Sequence, residues 1–190
     1  FTTRPQKHWF EERWAQLMDR VGEELGLPTV VLGGPADQPA LERVMGMART
    51  PPVSLVGRTS LSQAAAMIER AALVVGVDTG LTHIGIAFDR PTVTIFGSNI
   101  PYTEPPTDRA VVVVHWLECS PCKGNPTCNG QYTCLRLVTV DQVMATARRV
   151  LANGEREQAR RGGHPLPGVE GPGLDGAASG GGALGRDRLP

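Results

Sequence analysis

An acid, a hydroxyl and a glycine stand in a row in the segment VVGVDTGLTH, as Asp78, Thr79 and Gly80. The residues before them are apolar and β-branched, which is typical of a buried strand, and the residues after them predict a helix. Gly80 lets a ligand approach the backbone, and the N–H groups of a helix start attract anions. The segment therefore predicts a diphosphate site. An isolated sequence of this kind also fits an ordinary loop after a strand end.

An ammonium group and two hydroxyls occur in the opening loop of the chain, before the first predicted helix. Lys7 could neutralise the same phosphates, with Thr2 and Thr3 as nearby hydroxyl donors. Taken alone, Lys7 also fits a solvated surface lysine, and His83 also fits a histidine at a helix start without a ligand. These residues are candidates for one phosphate site.

Four cysteines follow the last predicted strand with the spacing C-x2-C-x5-C-x5-C, and they are Cys119, Cys122, Cys128 and Cys134. One C-x2-C pair suits a tetrahedral zinc ion, but the second pair is spaced more loosely than in common zinc ribbons. Thiols stay reduced in the cytosol, so disulfides are the weakest alternative. We expect reduced structural thiols without a stoichiometric metal, and a structural metal is the second alternative.

Two hydrophobic periodicities alternate along the chain and position these candidates. Short apolar runs predict strands, and amphipathic segments predict the helices between them. Ser60 with Gln63, and Thr139 with Gln142, form capping boxes that begin two of the helices. The predicted strands are residues 29–32, 53–56, 73–77, 92–96 and 111–115.

Strands without polar alternation, separated by amphipathic helices, imply a parallel sheet covered by helices on both faces. We predict a doubly wound, Rossmann-like α/β domain over residues 1–152, in which ligands bind at the carboxyl ends of the strands. Residues 153–190 hold 11 of the 23 glycines and few large apolar residues. They cannot bury enough surface to offset their ordering entropy, so we predict a disordered tail.

Charge and hydropathy exclude several classes of protein. Lys+Arg and Asp+Glu are balanced at 19 each, which gives no reason to expect nucleic acid as the principal partner. No run of about 18 apolar residues and no secretory leader occurs, so we expect a cytoplasmic protein. The chain opens at FTTRPQKHW without a methionine. We therefore expect that upstream sequence is missing.

Taken together, these segments resemble glycosyltransferase family 9, the bacterial ADP-heptose:lipopolysaccharide heptosyltransferases. TTRPQKHWFEERW resembles the opening of the family's C-terminal half, and VDTGLTHIGIAFDRPTVTIFG resembles its most recognisable block. The paired glycines of VLGGPADQ and the segment CSPC also fit. The resemblance covers roughly residues 1–152.

The resemblance implies a two-domain GT-B enzyme, of which this chain is the C-terminal, nucleotide-sugar-binding half. The missing half would supply the acceptor contacts and an aspartate as general base. The implied reaction is inverting transfer of heptose from ADP-heptose to the lipopolysaccharide inner core at the membrane face, without an essential metal or a cofactor. Alone, the chain would bind ADP weakly and transfer no sugar. Peripheral association with the inner membrane is a further expectation.

The resemblance also implies roles for single residues. The residues expected to contact the diphosphate are Thr2, Thr3, Lys7, Thr79, Gly80, Leu81 and His83. Lys7 would also be catalytic, because its ammonium would stabilise the leaving ADP. Asp78 would accept hydrogen bonds from sugar hydroxyls. Asp37, or Gln38 if the alignment shifts by one residue, would contact adenine, and the loop at 57–60 would form another wall of the nucleotide cleft.

Two other functions are compatible with the same residues. One is a family 9 transferase that uses another nucleotide sugar. The other is a noncatalytic nucleotide-binding α/β module. The upstream sequence discriminates between them, because an N-terminal α/β half with an aspartate in a glycine-rich loop favours the enzyme.

Overall fold

The computed structural model describes residues 4–99 and 107–162, with side-chain environments up to residue 156. In chain order its elements are α1 (Glu11–Leu25), β1 (Val30–Val31), α2 (Gln38–Met47), β2 (Val53–Ser54), α3 (Leu61–Glu69), β3 (Val74–Val77), α4 (Gly80–Ala87), β4 (Thr92–Ile95), β5 (Ala110–Val113), α5 (Thr133–Arg136) and α6 (Val140–Gly162). Short 3₁₀ turns occur at Pro5–Lys7 and Pro35–Asp37. Thr2 and Thr3 lie outside the described residues.

All strand pairs in the described residues are parallel, and they form two sheets. β1 pairs with β2, with Val30 opposite Val53, and the second sheet has the order β3-β4-β5. In that sheet, Val77 at the end of β3 lies opposite Ile95 in β4. The prediction of a mixed α/β fold with parallel strands is confirmed, while the single sheet predicted from the sequence is divided into two.

β4 is buried on both faces, which explains its unbroken run of apolar and threonine residues. All four of its residues are buried. Val93 and Ile95 belong to the main core, whereas Thr92 lies on the α4 side, where a Cβ at Gly85 would be 3.0 Å from its Oγ1. The main core comprises Trp9, Leu17, Val21, Val77, Val93, Ile95, Val113, Leu135, Val138, Val140, Val143, Met144, Ala147 and Val150. α1 and α6 thus close the sheet opposite α4.

The predicted helix boundaries are confirmed where a capping interaction defines them. The Gln63 N–H donates to Ser60 Oγ, and the Ser60 N–H donates to Gln63 Oε1, at the start of α3. The same reciprocal pair joins Thr139 and Gln142 before α6. No helix in the described residues is both long enough and apolar enough to span a membrane.

The final helix continues past the predicted boundary. α6 extends to Gly162, so the prediction of disorder from Asn153 is wrong over residues 153–162. Asn153 Nδ2 donates to Asp108 O at 2.9 Å, which anchors a residue type that usually weakens helices. The following Glu, Arg, Gln and Ala residues are good helix formers. Residues 163–190, the rest of the predicted tail, lie outside the described residues.

Candidate functional site

Lys7 and Asp78 form an ion pair although 71 residues separate them in the chain. Lys7 Nζ lies 2.5 Å from Asp78 Oδ2 and donates to the Asp78 backbone oxygen at 3.2 Å. The two side chains are 15% and 14% exposed, so the pair is largely shielded from water. Trp9 holds the Lys7 turn in place, because its ring is buried and its Nε1 donates to Val138 O. The structure thus brings Lys7 into contact with the DTG segment.

Asn99 and His83 complete the surroundings of Asp78. Asn99 Nδ2 donates to Asp78 Oδ2 at 2.6 Å, and His83 Nε2 lies 3.3 Å from Asp78 Oδ1. Burial is the largest influence on this carboxyl and raises its pKa, but the hydrogen bonds from Lys7 and Asn99, with the lysine charge, outweigh it. The pKa of Asp78 is therefore below its ordinary value, and the group is a carboxylate at neutral pH.

The start of α4 is fixed against the end of β3. Thr82 Oγ1, which is buried, donates to Val77 O at 2.8 Å. Gly76 permits this contact, because a Cβ there would lie 2.3 Å from Thr82 Oγ1. Thr79 is the extended N-cap residue of α4, and its side chain makes no capping hydrogen bond to a residue that the structure describes. The first backbone N–H groups of α4 are therefore suited to an anion.

The predicted adenine residue lies in a second pair of loops, at the carboxyl ends of β1 and β2. Asp37 Oδ2 accepts a hydrogen bond from the Gly34 N–H at 2.8 Å, which closes its own loop. The Gly57 N–H donates to Gly33 O, and Gly57 has a φ of 69°, which places its backbone against Pro35. The loops at Asp37 and at 57–60 are therefore neighbours. Contact of Asp37 with adenine, and a nucleotide cleft beside these loops, stay predictions.

The structure thus gathers some predicted residues and separates others. Asp78 contacts both Lys7 and His83. The residues that follow Asp78 in the chain, at the start of α4, are Thr79, Gly80 and Leu81. Space beside Gly80 is open, because a Cβ there would meet no atom within 4 Å. Asp37 belongs to the other loop pair. The diphosphate roles of these residues stay predictions.

Sequence reasoning missed Asn99, which binds the same carboxylate oxygen as Lys7. The signal was available in the fold, because Asn99 follows β4 and Asp78 follows β3, and these strands are parallel neighbours. The carboxyl ends of such strands lie at the same edge of a sheet. A polar residue after TVTIFG was therefore a reasonable candidate for contact with Asp78.

The cysteine segment packs against the same edge of the sheet. Ser120 Oγ donates to Gly97 O at 2.7 Å, and Gln6 Nε2, beside Lys7, donates to Gly124 O at 3.2 Å. All four thiols are free of disulfides. Burial, and to a smaller extent the nearby Cys119 and Cys122, raise the pKa of the Cys134 thiol.

Comparison with known proteins identifies the family of the chain. The sequence model of glycosyltransferase family 9 (heptosyltransferase) matches residues 1–133. The chain belongs to glycosyltransferase family 9. This family 9 chain is 35% identical over 101 residues to lipopolysaccharide heptosyltransferase 1 of Escherichia coli K12, covering 53% of the chain and 31% of that relative. It therefore spans about a third of the length of that curated relative.

Solved structures that are similar to this family 9 chain include other glycosyltransferases. A family 9 glycosyltransferase from Veillonella parvula matches with a TM-score of 0.68 and 28% identity. An Escherichia coli ADP-heptose lipopolysaccharide heptosyltransferase II matches with a TM-score of 0.67 and 25% identity. Both matches cover 80% of this chain and 44% of the solved chain. The fold described above is thus similar to less than half of each structure.

Proposed function

We propose that this chain is the donor-binding, C-terminal half of a GT-B glycosyltransferase that moves heptose from ADP-heptose to the lipopolysaccharide inner core. The observation that carries the proposal is the Lys7–Asp78 pair at the start of α4, because it places a cation, a carboxylate and free helix amides together. Family membership and the names of the relatives support the sugar and the acceptor. The two parallel sheets would be parts of one doubly wound sheet in the complete enzyme.

Lys7 is suited to bind the diphosphate of the donor and to stabilise the leaving ADP. A lysine has three N–H donors, and the contacts with Asp78 Oδ2 and O account for two of them. A third donor can bind a phosphate oxygen without disrupting the ion pair. As the acceptor hydroxyl attacks the anomeric carbon, the sugar–phosphate bond breaks and charge grows on ADP. The Lys7 ammonium and the amides of Thr79, Gly80 and Leu81 would stabilise that charge.

Asp78 is suited to the sugar. A carboxylate only accepts hydrogen bonds, and its lowered pKa keeps it ionised at neutral pH. Lys7 and Asn99 both donate to Oδ2, so Oδ1, beside His83, is the oxygen through which a sugar hydroxyl would bind. The general base would come from outside this chain, and no metal is needed for these roles. Thr2 and Thr3 would add hydroxyl contacts, and Asp37 would face adenine.

Titration calorimetry of the full-length protein with ADP and ADP-heptose tests these roles. Lys7→Ala should weaken both ligands about ten- to a hundredfold, since a charge-assisted phosphate contact contributes about 1.5–3 kcal/mol. Asp78→Asn should weaken ADP-heptose much more than ADP, because its partner is the sugar. The matched control is Lys123→Ala, which removes the other lysine of the chain from an exposed position.

Two results would contradict the assignment. Equal losses for ADP and ADP-heptose on Asp78→Asn would exclude the sugar contact. Unchanged affinity on Lys7→Ala would exclude the phosphate contact. A transfer assay adds a third readout: this chain alone should bind ADP weakly and transfer no heptose, and turnover by the isolated chain would contradict the two-half mechanism.

A further inference from the structure

Asn99 reaches Asp78 from the loop that follows β4. Its Nδ2 donates to Asp78 Oδ2 at 2.6 Å, and Lys7 Nζ lies 2.5 Å from the same oxygen. The other carboxylate oxygen, Oδ1, has a longer contact of 3.3 Å to Nε2 of His83, whose side chain is 48% exposed. Two short hydrogen bonds therefore hold one oxygen of Asp78, while the other oxygen is held less strongly.

The loop that carries Asn99 is fixed to the rest of the fold just before it reaches the site. Ser120 Oγ donates to Gly97 O at 2.7 Å. Gly97 packs closely on the main core, since a Cβ there would lie 2.7 Å from Leu135 Cγ. The Lys7 ammonium, in contrast, is at the end of a flexible four-carbon stem. Asn99 is thus the more rigidly placed of the two donors.

The two donors also differ in charge, and this difference matters for a diphosphate ligand. In the proposed donor complex the Lys7 ammonium would be attracted to phosphate oxygens, because it is a cation. The amide of Asn99 is neutral, so negative charge on the ligand attracts it much less. Asn99 can therefore keep Asp78 in place while Lys7 moves toward the charge of the ligand.

We propose that Asn99 is a positioning residue for the donor sugar: it holds Asp78 by Oδ2, independently of Lys7, so that Oδ1 is presented to a sugar hydroxyl. The inference rests on the proposed function, because it takes Asp78 as the residue that binds the sugar. It adds the loop after β4 to a site otherwise formed by the Lys7 turn and the start of α4. Asn99 itself needs no contact with the reacting atoms.

Titration calorimetry of the full-length protein tests this role through the affinity ratio, which is the affinity for ADP-heptose divided by that for ADP. Asn99→Ala should lower this ratio about tenfold or more, since a hydrogen bond to a charged group contributes at least that much. The control Asn125→Ala removes an exposed asparagine of the cysteine segment and should keep the ratio. An unchanged ratio on Asn99→Ala, including an equal loss for both ligands, would overturn the inference.

A double variant tests whether Asn99 acts independently of Lys7. Lys7→Ala should weaken both ligands but keep the affinity ratio, because Asn99 still holds Asp78. Lys7→Ala/Asn99→Ala should lower the ratio to the level of Asp78→Asn. If Lys7→Ala alone already lowers the ratio that far, the independent role of Asn99 is wrong.

Asn99→Asp gives a second test, in which pH is the variable. It replaces the amide by a carboxyl of the same shape, which repels the Asp78 carboxylate when both are ionised. With one proton bound, the introduced carboxyl can donate to Asp78 Oδ2 as the amide does. The affinity ratio of this variant should therefore be low at about pH 7.5 and recover at about pH 5.5.

The pH test needs two comparisons. Lys7 and His83 also face Asp78, so each affinity ratio is divided by that of the wild type at the same pH. Asn99→Ala has no group to protonate, so its ratio should stay low at both pH values. Absence of recovery in Asn99→Asp would show that a donor to Oδ2 is not what matters at this position, and it would overturn the inference.

Failure of this inference differs from failure of the proposed function. If Asp78→Asn leaves the affinity ratio unchanged, the sugar contact of the proposed function is wrong and the role of Asn99 falls with it. If Asp78→Asn lowers the ratio and Asn99→Ala does not, only the positioning role is wrong.

Discussion

Asp78 is held as a carboxylate by donors from two distant parts of the chain, Lys7 before α1 and Asn99 after β4. Its pKa is lower in the folded protein than its ordinary value of 3.8. The ionised group therefore stabilises the fold above that value, and this contribution is lost as the pH falls through the lower, folded pKa.

Asp78→Asn should therefore lower the free energy of unfolding, and the loss should not vary with pH near neutrality. Below about pH 3.8 the difference in unfolding free energy between this variant and the wild type should become smaller. Urea unfolding at about pH 7 and about pH 3 measures both differences. The control is Asp141→Asn, whose side chain is 85% exposed and whose ion pair should contribute little. An Asp78→Asn difference that is equal or larger at low pH would contradict the lowered pKa.

At the scale of elements, the close contact between β3 and α4 positions the DTG segment. Gly76→Ala would place a Cβ 2.3 Å from Thr82 Oγ1 and displace a side chain that is hydrogen-bonded to Val77 O. We expect a loss of about 1–3 kcal/mol in the free energy of unfolding, as for other overpacked sites. Chemical denaturation measures this loss.

Gly46→Ala is the matched control for that substitution. Gly46 lies in α2, is exposed, and a Cβ there would meet no atom within 4 Å. Alanine should therefore stabilise the helix by about 0.5–1 kcal/mol. If Gly76→Ala raises the free energy of unfolding as Gly46→Ala does, the close contact between α4 and β3 is not the reason for a glycine at position 76.

At the scale of the whole molecule, a partly buried ion pair joins three elements at the end of the sheet away from the DTG segment, and its aspartate side chain is 30% exposed. Arg109, before β5, is 5% exposed and donates to Asp89 Oδ2 after α4 at 2.9 Å. A Cβ at Gly154 in α6 would lie 3.1 Å from Arg109 Nη2. In the described residues Asp89 Oδ1 and Arg109 Nε have no hydrogen-bond partner, so the pair is incompletely satisfied.

Arg109→Met should lower the free energy of unfolding, because it leaves Asp89 without its ion-pair partner. Loss of one partner of a buried pair costs about 3–5 kcal/mol, and we expect a value near the lower end of that range. The double variant Arg109→Met/Asp89→Asn should regain part of that loss, since no uncompensated charge is left. Thermal and urea unfolding of the single and double variants measure the coupling. The control Arg70→Met is at an exposed position. Additive effects of the two substitutions would contradict the ion pair.

The sequence by itself determined the local features of this protein. Alternating periodicities located the strands, the Ser60 and Thr139 capping boxes began their helices, and Gly26 ended α1 in a left-handed conformation with a φ of 65°. These features depend on residues within a few positions of one another, so a single sequence contains the information. The motif around Asp78 was recognisable for the same reason.

The tertiary structure determined which residues from distant parts of the chain meet at the site. It placed Lys7 and Asn99 on one oxygen of Asp78, and it kept Asp37 in a separate pair of loops. It also continued α6 beyond Asn153, because the side chain of that residue binds Asp108 O. Such contacts follow from the packing of α1, α4 and α6 on the sheet. No pattern of neighbouring residues specifies them, because the two partners are brought together only when the intervening elements fold.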